Sequence, residues 1–193
     1  MATKAEVLHV AHELFVERGY RATTTAAVAE AAGVSSPTVY AAFSTKADLL
    51  RRVIEVALAG DDEAVAVADR PTVAWVNQAD DGPELLRRYA VMCGEMSVRS
   101  GPVFNVLAAA ADVDPALAEL VDTFETQRLF AARAVAGAVA ERGDLRTDLT
   151  IDEARDVIWV GTSSELFTLA SKREWPLERY VEFLRQVFLQ ITN

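Results

Sequence analysis

The sequence predicts an all-α fold, and three observations carry that prediction. Apolar residues recur at three- and four-residue spacing through most of the chain, which lines one face of a helix of 3.6-residue period. Glycine (9) and proline (6) are sparse among 193 residues and gather at a few breaks. Around those breaks stand the residues that start and stop helices, with Ser, Thr or Asp ahead of the apolar runs and Gly behind them. About nine or ten helices are expected on this rhythm.

From Ala5 to Arg18 the residues Val7, Leu8, Ala11, Leu14 and Phe15 share a helical face, with Gly19 placed to stop the helix. Thr23, Thr24 and Thr25 offer caps for the next one. The stretch from Thr25 to Phe43, TAAVAEAAGVSSPTVYAAF, predicts two short helices joined by a tight turn. Val28, Ala29 and Ala32 give the first its apolar face, Gly33 takes the turn, and Val34 plugs the corner. Ser35 suits the cap of the second helix and Pro37 its first turn, while Val39 and Phe43 anchor it inward. The small Ala29 and Gly33 are expected to let the two helices cross closely. This is the pattern of a helix-turn-helix, whose second helix enters the DNA major groove.

Ser44 or Thr45 can cap a helix from Lys46, with Asp48 in the first turn, where the macrodipole favours an acid. Leu49, Leu50, Val53, Ile54, Ala57 and Leu58 continue its stripe until Gly60, Asp61 and Asp62 weaken it. The chain then looks irregular to Pro71. Thr72 to Gln78 reads as one or two turns, and ADDGP breaks the chain at Ala79 to Pro83. Glu84 to Val98 is an amphipathic helix that Ser100, Gly101 and Pro102 are expected to stop. Val103 to Ala111 forms another, ended by the DVDP run. Pro115 begins a long helix to about Arg142, with Gly143 as its stop. Asp152 to Lys172 and Pro176 to Ile191 close the chain as two further long helices. The expected division is a three-helix DNA-binding domain over residues 1–48 and a larger helical domain over 49–193.

Composition bounds the function. About half of the chain is hydrophobic (51%), enough for a sizeable core, yet no apolar run approaches the ~20 residues that span a bilayer. Charge and histidine interrupt the opening MATKAEVLHVAHE, which is unlike a signal peptide. A single cysteine, Cys93, excludes an intramolecular disulfide and suits a reducing, cytoplasmic compartment. The net charge of −10 is unevenly divided: residues 1–52 hold six Lys/Arg against five Asp/Glu, and the rest 13 against 24. A near-neutral head on an acidic body limits non-specific attraction to phosphates while permitting local contacts.

The segment from Ala5 to Glu55 resembles the N-terminal DNA-binding domain of TetR-family transcriptional regulators. It carries the LF-x-E-R-G-Y-x-A-T run, the V-A-E-A-A-G-V-S turn and the T-V-Y-x-x-F-x-x-K segment, without a gap. The remainder resembles the family's effector-binding and dimerisation domain in length and helical rhythm, and its closing segment is similar to a subset of such regulators. The resemblance implies a homodimer on palindromic double-stranded operator DNA. It also implies repression relieved by a small-molecule effector, with no cofactor.

Carried over residue by residue, the resemblance implies that Thr25 donates to a phosphate and that the Tyr40 hydroxyl contacts the backbone. Lys46 would hold a phosphate together with a backbone N–H at the helix start. Ser35, Ser36 and Thr38 lie in the first turns of the recognition helix, short enough to reach base edges or phosphates. Two positions depart from the pattern. Ser36 stands where many relatives are basic, and Ala41 where they are bulky or basic. Readout is therefore expected to lean on methyl contacts, shape or water, and affinity on Lys4, Arg21 and Lys46.

A single head offers few phosphate contacts, so two heads are needed. Ile158, Leu166 and Leu169 on one late helix, and Tyr180, Phe183, Leu184, Val187, Phe188 and Ile191 on the other, are the expected dimer surface, as a two-fold four-helix bundle. For the effector pocket the candidates are Trp75, Tyr89, Met92, Cys93, Met96, Phe104, Leu107, Phe124, Arg128 and Trp159. Their aromatic and thioether character suits a largely apolar or planar molecule, with Arg128 facing a ligand carboxylate or pairing with Glu125.

Enzyme signatures are missing from the sequence: it has no Gly-rich phosphate loop, no G-x-S-x-G elbow and no HExxH. His9 and His12, three apart, lack a further His or Cys nearby to complete a metal site. The rival reading is an all-α interaction or ligand-binding protein with lost or weak DNA binding, which the neutral recognition helix keeps open.

Overall fold

The computed structural model describes residues 3–63, 65–112 and 114–193. Among these it is all-α: α1 (Lys4–Ala22), α2 (Thr25–Ala31), α3 (Ser36–Ala42), α4 (Lys46–Ala59), α5 (Pro71–Asn77), α6 (Gly82–Ala111), α7 (Pro115–Glu141), α8 (Ile151–Gly161), α9 (Ser164–Lys172) and α10 (Leu177–Phe188). Short 3-10 turns cover Val67–Asp69 and Leu189–Ile191. Extended pairing among the described residues is confined to one isolated bridge, Leu145 with Thr192. The chain forms two compact units, Met1–Glu63 with Arg99–Asp122, and Ala64–Val98 with Thr123–Asn193.

In the first unit α1 packs on α2 and α4, and α2 on α3. Phe15, Val28, Val39, Phe43, Leu50 and Ile54 are among the side chains closed off from water. The caps follow the expected chemistry. Thr3 and Glu6 make a reciprocal capping box at α1, and the Thr24, Ser35 and Thr45 side chains accept from the N–H groups of Ala27, Thr38 and Asp48. Within α1 the helical backbone breaks at Gly19 (φ 77°, ψ 170°), where a stop was expected, and a short further turn reaches Ala22. At the motif turn Val34 N–H donates to Ala29 O and Gly33 N–H to Glu30 O, a Schellman closure with Gly33 left-handed at φ 66°. A Cβ on Gly33 would meet nothing within 4 Å. The glycine is thus required by backbone conformation, and the expected close helix crossing at that residue is corrected.

The second unit is cored by Leu85, Leu86, Tyr89, Ala136, Ile158 and Leu184 among others. Two expected boundaries change. Helix α6 runs unbroken through Ser100, Gly101 and Pro102, where a stop was expected. Pro102 removes one ladder donor. Even so, Ser100 and Val103 are buried, and Leu107 and Ala110 continue the buried stripe at helical spacing, so packing overrides the local breakers. The DVDP break after α6 contains Val113, which lies outside the described residues.

The expected helix from Asp152 to Lys172 is instead two, α8 and α9. The Thr162 hydroxyl donates to Ile158 O (3.0 Å) and Trp159 O (3.2 Å), competing with the backbone ladder. Ser163 then caps α9 by accepting from Leu166 N–H. No helix among the described residues is long and apolar enough to cross a membrane.

Candidate nucleic-acid interface and effector region

Helix α3 presents its polar side outward because Val39 and Phe43 hold its other side in the core. Ser35 and Thr38 are exposed, Ser36 is half-buried, and the Ser35 and Thr38 hydroxyls lie 2.7 Å apart. Ala41 is exposed and adds only a methyl group. Lys4 is exposed too, its ammonium 5.4 Å from the centre of the Phe43 ring.

Thr25 and Tyr40 form one device across the motif. The buried Thr25 hydroxyl donates to the Tyr40 hydroxyl at 2.7 Å. Tyr40 is 54% exposed. With its oxygen already accepting, the phenol proton is free to point outward as a donor.

Lys46, first residue of α4, is half-buried. Its ammonium donates to Tyr20 O at 2.8 Å and sits 4.1 Å from the centre of the Tyr20 ring. Burial lowers the Lys46 pKa, opposed by the negative charge of Asp114. The Tyr20 hydroxyl donates to Asp114 Oδ2 at 3.5 Å. Burial, then the Asp114 carboxylate, push the Tyr20 phenol up to about 12. Tyr20 and Asp114 were not among the sequence-predicted site residues. Tyr20 lies in the R-G-Y run, but nothing local signals a partner 94 positions away.

In the second unit Tyr89 and Cys93 are buried side by side and share a hydrogen bond, and burial pushes the Cys93 thiol up to about 12. A thiol held protonated in this way is unreactive at neutral pH. The Arg128 guanidinium lies 4.7 Å from the Trp159 ring centre, donates to Trp159 O and Thr162 Oγ1, and pairs with Glu125. Trp159 Nε1 is buried without a hydrogen bond, and the buried Tyr180 hydroxyl has Ser97 as its hydrogen-bonding neighbour. Met92 and Met96 are half-buried and Phe124 is buried. Trp75 is at the surface under Arg88, and Phe104 and Leu107 belong to the first unit.

The residues expected at the dimer surface also divide. Ile158, Tyr180, Leu184, Phe188 and Ile191 are buried within their own unit, so they hold its core and offer nothing to a partner. Leu166, Phe183 and Val187 are half-buried, and Leu169 is 59% exposed. Exposed apolar residues that the periodicity did not single out include Val160 and Phe130, the latter 76% exposed.

Residues 7–53 match the model of the bacterial regulatory proteins, tetR family. An uncharacterized HTH-type transcriptional regulator of Bacillus subtilis (strain 168), YdeS, is 29% identical over 159 residues, 81% of this chain and 74% of its own length. The fatty acid degradation regulator FadR from Bacillus halodurans shares the fold with a TM-score of 0.78 at 20% identity, over 97% of this chain and 98% of its own. The ketosteroid transcriptional regulator KstR2 of Mycobacterium tuberculosis does so with 0.61 at 21%, over 97% and 94%. Residues 7–53 thus form a tetR-family DNA-binding domain, and this head together with these relatives supports a TetR-family transcriptional regulator. Regulators of this family bind DNA and small-molecule effectors and act as dimers.

Proposed function

We propose that the protein is a cytoplasmic, ligand-responsive repressor that binds a palindromic operator as a homodimer and is released by a small, largely apolar effector. Residues 1–48 act as the DNA-binding domain and 49–193 as the effector-binding and dimerisation domain. The observation that carries the reading is the Thr25–Tyr40 hydroxyl pair, which leaves an exposed phenol donor on the first motif unit. Lys46 supplies a cation at a helix start, where unpaired N–H groups already favour a phosphate. Ser35, Ser36 and Thr38 meet the groove with hydroxyls, and Tyr40 and Lys46 hold the backbone.

The effector reading rests on the second unit. The unpartnered Trp159 Nε1, in the same cluster as Tyr89 and Met92, supports a mainly apolar ligand with a hydrogen-bond acceptor. Such a ligand is in keeping with FadR, a regulator of fatty acid degradation, and KstR2, a ketosteroid regulator. Arg128 is already paired with Glu125, so it orients Trp159 in this scheme. The dimer face runs through Leu169 and Val160, with Leu166, Phe183 and Val187 at its margin. A gel shift on DNA upstream of its own gene, with excess mixed-sequence competitor, tests the reading. A retained shift supports it, and complete competition overturns it. Sedimentation at micromolar concentration is expected to give a dimer, and a monomer there contradicts the dimeric repressor.

A further inference from the structure

We infer that Asp114 restrains DNA binding: it holds the Tyr20 ring against the Lys46 ammonium, and its negative charge competes with a DNA phosphate for that ammonium. The inference rests on the reading of Lys46 as a phosphate contact. An ammonium has three donors, and Tyr20 O takes one of them while the Tyr20 ring covers one side. The ring cannot drift freely, because it stacks on Phe15 at 6.0 Å between centroids and its hydroxyl is bonded to Asp114.

Asp114 is itself anchored at the start of α7. Its carbonyl accepts from Leu117 and Ala118 N–H, and its Oδ1 from Ala116 N–H at 3.0 Å. One carboxylate oxygen is thus used to hold the first turn of α7 and the other reaches Tyr20. The end of α1, the start of α4 and the start of α7 meet at a single cation–ring–anion relay. The carboxylate lies close enough to Lys46 to favour its charged form, and an anion that stabilises the ammonium in the free protein opposes its transfer to a phosphate.

Asp114→Asn removes the charge and keeps an oxygen for Ala116 N–H. With a labelled mixed-sequence duplex at low salt, D114N is expected to bind about two- to fivefold more tightly than wild type, the range of an exposed charge pair. It should give no tightening in a Lys46→Met background, and Asp114→Glu should behave as wild type. In the folded D114N protein the Tyr20 phenol is expected to titrate below its value of about 12, towards the ordinary 10. D114N binding like wild type, or tightening equally without Lys46, overturns the inference while leaving the Lys46 contact standing if Lys46→Met alone weakens binding. Lys46→Met binding as tightly as wild type overturns that contact and the inference with it.

Discussion

Gly33 and Glu174 occupy the same left-handed conformation at the ends of two helices, φ 66° and 53°, yet only one of them suits it. Both close a Schellman motif, Glu174 with its N–H on Ser171 O and Trp175 N–H on Ala170 O. A Cβ in that region costs roughly 1–2 kcal/mol. Gly33→Ala is therefore expected to destabilise the protein by about that amount and Glu174→Gly to stabilise it by roughly 1 kcal/mol, both read by chemical denaturation. The empty space around Gly33 makes Gly33→Asn milder than Gly33→Ala, since Asn tolerates this conformation best among residues with a Cβ.

His12 supplies a pH test at the same scale. It lines a groove of about 440 Å³ with Leu8, His9, Val53, Asp61 and Arg99. Burial, then the neighbouring His9, hold its pKa below 6.5, opposed by Glu13 and by its hydrogen bond to the Arg99 backbone. The folded state therefore favours neutral His12. Its contribution is complete above pH 6.5 and is lost as the pH falls from there to the folded value. Thermal unfolding should show a shallower loss on the acid side for His12→Gln than for wild type. Gly33 was legible as a turn because few residues accept a positive φ. Asp114 was not, because its partner is set by tertiary packing.

At the level of elements, caps and periodicity located most helices, and the misses have physical causes. Ser100, Gly101 and Pro102 are strong local breakers, but α6 buries Ser100, Val103 and Leu107 and continues. Between α8 and α9 the apolar period runs on, so only the Thr162 and Ser163 hydroxyls carry the signal for a break. Gly94 shows another kind of constraint. A Cβ there would stand 2.5 Å from Val181 Cγ2, so α6 and α10 approach closely only because this residue has no side chain. Gly94→Ala should cost about 1–3 kcal/mol by overpacking, and Val181→Ala should recover most of it in the double variant. A loss of the same size that Val181→Ala does not relieve would place the strain elsewhere.

For the whole molecule, the uneven charge decides how DNA binding must work. The net −10 opposes non-specific capture by the polyanion, so in the proposed dimeric reading a few placed contacts and two heads supply the affinity. The family and the all-α fold were readable from fifty contiguous residues and the helical rhythm. The dimer face was less so, because a helix that covers its own core and one that pairs with a copy have the same apolar period. Ile158 and Leu184 are buried in their own unit, whereas Leu169 is exposed and is proposed for the second role.

The most direct test of the central claim is the salt dependence of binding to the upstream duplex, for wild type, Tyr40→Phe and Lys46→Met. Affinity should fall steeply with salt for wild type, and each variant should weaken binding. Lys46→Met should also reduce the slope of log K against log salt by about one per head. Binding that matches wild type in both variants, with an unchanged slope, would contradict the assignment of this face to DNA.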